Sequence, residues 1–149
     1  MTLERNTILK CKISGEVCCF FMGAFGFFFT MWKQNTNAAV AFLILEIVCA
    51  VSLRLNANYY RIQKEISFKV LQFIKIAAFI LFISLMILGI TDIVLGIRNK
   101  QGFQIGNDGY YFASIPGFLG SFWSFVLFWD CKLFQFGTAL GGMDRNQII

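Results

Sequence analysis

Residues 76–91, IAAFILFISLMILGIT, run without a single charged side chain. Extended to 70–97, the stretch exceeds the about 20 apolar residues that carry a helix across a bilayer. Inside lipid every backbone N–H and C=O must be satisfied within the segment, so such a run folds as a helix. It places the chain among integral membrane proteins. Its flanks are Lys75 and Asp92, both within the apolar envelope.

Three more runs accompany it. Residues 13–32 are apolar apart from Glu16, residues 38–55 carry Glu46 near their middle, and residues 110–131 contain the only proline, Pro116. Residues 33–37, KQNTN, leave room for nothing but a tight connection, so the first two runs are antiparallel neighbours. Residues 98–109 hold Gly102, Gly106 and Gly109 and read as the longest turn-rich loop. No repeat or second domain is visible across residues 1–149. The first run lacks a small-residue cleavage site behind it and is long enough to span, so it is expected to serve as its own signal-anchor.

Only 14% of residues are charged, well below the roughly 25% of soluble domains. The net charge of +5 could suggest nucleic acid, but most Lys and Arg flank the apolar runs, where they set topology instead. Nine of them fall in residues 1–12, 56–69 with Arg54, and 132–149, against three in 33–37 and 98–109. The first group is therefore expected to be cytoplasmic and the second to form outer loops. The expected fold is all-α: an antiparallel four-helix membrane bundle with both termini cytoplasmic.

Each run carries a stripe of small and polar residues at alternating steps of three and four. Glu16, Cys19, Gly23, Gly26 and Thr30 form the first, and Ala39, Phe42, Glu46, Cys49 and Leu53 the second. Lys75, Ala78, Phe82, Leu85, Gly89, Asp92 and Gly96 form the third; Ala113, Gly117, Gly120, Ser124, Leu127 and Cys131 form the fourth. A mean step of 3.5 gives a left-handed seam, and small residues let membrane helices approach closely. Gly23, Gly26, Gly89, Gly117, Gly120 and Ser124 are thus expected at helix contacts. Ser121 and Asp130 fall one position off the seam.

Charges in a bilayer centre cost about 2.5–3.5 kcal/mol on insertion scales. By depth Glu46 is central, Glu16, Lys75 and Asp130 lie toward the cytoplasmic side, and Asp92 toward the outer side. A Glu46–Lys75 pair is expected to fix the register of helices two and three. The same carboxylate could instead couple ions or protons in a channel or transporter subunit. A third reading has Glu46 or Asp92 recognise a lipid headgroup or a partner's helix.

The five cysteines all map to the cytoplasmic half, so no outer disulfide framework is expected. Cys11, Cys18 and Cys19 fit S-palmitoylation or, equally, plain interfacial burial. With no histidine and no CxxC pair, neither a metal nor another cofactor is expected. The commonest general base is missing too, and no nucleophile elbow or phosphate loop appears, so catalysis is not expected. Tyr59 to Ile62 has the form of an adaptor-binding sorting signal, and Asp144 to Ile148 and Ile149 that of an acidic dileucine-type ending.

Four spans, short outer loops, the Cys18 and Cys19 pair opening the first helix and a basic central segment resemble small tetraspan families. These are the MARVEL-type proteins and the lysosome-associated four-span transmembrane proteins. The resemblance is one of layout, and it implies trafficking, endolysosomal sorting or the organisation of other membrane proteins. Claudins, tetraspanins and connexin-type channels are set aside, because each needs cysteines in its outer loops. The expected partners are membrane lipids and other membrane proteins or further copies, at an endomembrane, lysosomal or plasma membrane. Nucleic acid is not among them.

Overall fold

The computed structural model describes residues 2–58, 67–106 and 109–139. It consists of α1 (Thr2–Trp32), α2 (Thr36–Asn56), α3 (Phe68–Arg98) and α4 (Tyr110–Ala139), with no strand among the described residues. All four helices are long and apolar enough to cross a membrane. The chain thus has the layout of a multi-pass membrane protein. The helices extend past their apolar runs, most of all α1, because continuing an existing helix adds one hydrogen bond per residue ordered. Hydropathy finds the span, not the end of the helix.

The short connections are closed by specific backbone devices. Gln34 (φ 59°) and Lys100 (φ 49°) follow α1 and α3 in the left-handed conformation. At the first, Asn35 N–H donates to Thr30 C=O (2.9 Å) and Gln34 N–H to Met31 C=O (3.1 Å). At the second, Gln101 N–H donates to Gly96 C=O and Lys100 N–H to Ile97 C=O, both at 3.1 Å. These are Schellman closures, built here without the usual glycine. Asn35 then caps α2, its side chain accepting from Ala38 N–H (3.1 Å). Its amide donates to Ile105 C=O (3.4 Å) and Gly109 C=O (3.2 Å), which ties the two loops together.

The bundle is not square. α1 packs along α2, α3 along α4, and α2 along α4, while α2 and α3 scarcely meet. Half of the apolar stretch of α2 and of α4 is buried (50% each), against 22% in α1 and 17% in α3. The parallel pair α2/α4 is therefore the centre, flanked by α1 and α3. Leu45, Val48, Cys49, Leu127 and Cys131 fill the core.

Most seam residues are buried, with Cys19, Gly26, Glu46, Leu53, Lys75 and Phe82 only half-buried. The off-seam Ser121 and Asp130 are buried as well. Ser121 Oγ donates across to Phe82 C=O (3.2 Å), while Thr30 and Ser124 donate back to Gly26 and Gly120 of their own helices (2.6 and 2.7 Å). A Cβ on Gly23 would lie 2.9 Å from both the Cβ and the backbone N of Glu46. One on Gly117 would lie 3.3 Å from Gly89 Cα. These two crossings bring backbones together. At Gly120 the nearest atom is instead the tip of Leu85.

Tryptophans stand at both ends of the slab, with Lys33 over the Trp32 ring (4.4 Å) and Lys132 over Trp129 (5.0 Å). Such pairs suit the headgroup region, where an amphipathic ring and a cation are both solvated.

Candidate functional site: a polar cluster at one end of the bundle

Beside the C-terminal end of α2, the first half of α1 and the second half of α4 join it in pooling polar groups. On α1, Lys12 and Glu16 are one turn apart and share a face. On α2, Ser52 and Asn56 have the same spacing and meet them. Ser52 Oγ donates to Glu16 Oε1 (2.6 Å), and Asn56 Nδ2 donates to Oε1 and Oε2 (3.1 and 3.2 Å). Lys12 Nζ pairs with the Asp130 carboxylate of α4, lies 3.9 Å from Glu16 Oε1, and reaches Asn56 Oδ1 at 3.5 Å. Glu16 is fully buried. One cation thus answers two carboxylates, and Glu16 gains three neutral donor contacts that spread its remaining charge.

Two further contacts sit beside this cluster. Trp123 Nε1 donates to Cys19 Sγ (3.0 Å), and the Trp123 ring covers Gly15 at the distance of a tight Cβ contact (3.3 Å). On the other flank Lys75 Nζ donates to Gln135 Oε1 (2.7 Å), joining α3 to α4. The expected Glu46–Lys75 pair is not formed. It required α2 beside α3, and α4 lies between them instead. Lys75 finds its partner on α4, while Glu46 faces Gly23 of α1.

An open groove of about 340 Å³ runs along the outer side of α4, lined by Lys12, Phe125, Val126, Trp129 and Asp130. Asp92 lies apart, toward the other end, 3% exposed and with no hydrogen-bond partner at Oδ2. Cys11 and Cys18 are exposed, Cys19 is half-buried, and Cys49 and Cys131 are buried. No group of three metal-capable side chains occurs among the described residues. Tyr59, Ile62, Asp144, Ile148 and Ile149 lie outside the described residues.

Sequence reasoning found Glu16, Asp130 and Lys75 but missed Lys12, Ser52, Asn56, Gln135 and Asn35. The signal for three of them was present: Lys12 is four residues before Glu16, and Ser52 four before Asn56. Chemically the cluster is a lock between helices. Its donors, on Lys12, Ser52 and Asn56, are turned onto its own carboxylates. Among known proteins, no family model, no curated protein and no solved structure matches the chain.

Proposed function

We propose that this chain is a non-enzymatic multi-pass membrane protein that acts by lateral association, with lipid and with partner membrane helices, in trafficking, sorting or assembly. Its place would be an endomembrane, lysosomal or plasma membrane. The observation that carries the reading is how differently the outer faces of the two flanking helices are built. On α1 the outward stripe is aromatic: Phe21, Phe25, Phe28 and Trp32, from 55% to 75% exposed. On α3 the exposed phenylalanines, Phe68, Phe73 and Phe79, are confined to the first half, and from Ile80 on the large outward side chains are β-branched: Ile80, Ile83, Ile87, Ile90, Val94 and Ile97.

The steps of three and four follow from any exposed helix face; the choice of residues does not. Side chains that are stiff at χ1 lose little entropy when a partner helix packs on them. Large rigid rings behave similarly. Meanwhile the polar groups at one end are spent on each other. The layer above them is closed by Leu45, Val48 and Leu85, which speaks against an ion path through a single copy.

The test uses substitutions that lipid accepts equally well. Phe21, Phe25 and Phe28→Leu on α1, or Ile80, Ile83 and Ile87→Leu on α3, keep hydrophobicity and change shape. Native complexes from cells should be lost or shrink for at least one set, with insertion and helix content unchanged. Unaltered complexes for both sets would contradict the reading.

A further inference from the structure

Glu46 stands ten residues from either end of α2, about 15 Å along the axis. Its level is fixed by contacts: Gly23 abuts it on α1, and next to it Leu45 meets the site of Gly120, which in turn meets Leu85. This is the middle layer of the bundle. Phe42, Leu45 and Val48 around it are buried. Glu46 itself is only half-buried, on the flank where α2 turns outward through Val40, Leu43 and Ile47. Among the described residues its carboxylate makes no hydrogen bond and no ion pair.

A carboxylate at this depth is costly, and such groups pair with an opposite charge when one is within reach. Among the described residues no cation stands at that level. Lys12 and Lys75 are committed to the polar end, and Lys33 and Arg98 stand at the opposite end. Arg54, the nearest in level, is eight residues further along α2, about 12 Å away. A second copy, parallel or antiparallel, brings these described cations to the same two ends and adds none of them to the middle layer.

We infer that the α1/α2 face at Glu46 docks a membrane-spanning helix of a different protein, one carrying a Lys or Arg near its own midpoint. This rests on the lateral-association reading and narrows it. Contact with Gly23 fixes the Glu46 backbone and Cβ, so the side chain starts from a set level on the α1/α2 face. The outward residues Val40, Leu43 and Ile47 supply the apolar rows against which the partner helix lies. Pairing then removes two unfavourable charges from lipid at once, which gives selectivity for cationic helices over the many apolar ones in the same membrane.

The test places the full chain in phosphatidylcholine vesicles with synthetic 23-residue Leu/Ala helices and measures association by energy transfer. The probes carry one Lys at the centre, the same Lys four residues from one end, or no Lys. The central-Lys helix is expected to associate at least tenfold more tightly than the other two. Glu46→Gln should abolish the difference without altering the unfolding transition, and Glu46→Asp should retain most of it. Equal association of all three probes overturns this inference and leaves lateral association standing. No association of any probe, or a preference that Glu46→Gln leaves intact, also overturns it. So does Glu46-dependent self-association with no gain from the central Lys, which would assign the face to a second copy.

Discussion

Lys12 of α1 and Asp130 of α4, 118 residues apart in sequence, form an ion pair at the end of the bundle where both chain segments enter the described core. It joins two helices whose backbones hardly approach one another, so the α1–α4 side is held by side chains. The charge balance fixes an order of effects. Lys12→Met leaves both Glu16 and Asp130 uncompensated, whereas Asp130→Asn leaves Lys12 still beside Glu16. Lys12→Met should therefore cost more, on the order of 2–4 kcal/mol, somewhat under the about 3–5 of a fully buried pair. Replacing both by apolar residues should restore only the part of the loss due to Asp130, because Glu16 keeps its buried charge with only the donors of Ser52 and Asn56. Unfolding in mixed micelles measures this; equal costs for the two single variants would contradict the shared-cation arrangement.

Gly23 sets the α1–α2 distance. Gly23→Ala puts a methyl 2.9 Å from Glu46 backbone N, which has nowhere to go. Gly120→Ala meets Leu85 Cδ1 at the same distance, but that is the end of a flexible side chain. The first should destabilise by about 1–3 kcal/mol and the second by clearly less. A reversed order would contradict the crossing geometry.

Gln34 is held at φ 59° between α1 and α2. A side chain there costs roughly 1–2 kcal/mol, part of which glycine returns through its freer unfolded state. Gln34→Gly should accordingly stabilise by about 0.5–1 kcal/mol, read as a later unfolding midpoint. Destabilisation would mean that the Gln34 side chain has a role that its exposure does not suggest.

Thiol labelling follows the burial order. Cys11 and Cys18 should react with a maleimide in the folded chain, while Cys49 and Cys131 should wait for unfolding. Cys19 should be slow, because its sulfur receives the Trp123 N–H; Trp123→Phe should speed it. Fast labelling of Cys49 would contradict the packing of α2 against α1 and α4.

The sequence made the four helices legible because length and apolarity are local properties, and the stripe from Glu16 to Thr30 legible because a helix repeats on itself. Which helix lies beside which is not local. Lys75 was expected opposite Glu46 because the chain order suggests that helices two and three adjoin. The close backbone approaches at Gly23 and Gly117 instead favour α1–α2 and α3–α4, with α2 and α4 left to meet in the middle. Asn35 and Gln34 were hidden within KQNTN, since a loop's polar composition does not reveal which residue takes the left-handed position or which amide spans two loops. The partners of Glu16 were hidden for another reason: Ser52 and Asn56 are uncharged, and a search for charges passes over them.

Lateral association is tested most directly by a photoreactive side chain at Phe25 of α1 or Ile83 of α3, activated in the native membrane. Association through these faces predicts a discrete protein adduct of fixed mass from at least one position. Lipid adducts alone, from both positions, would contradict it.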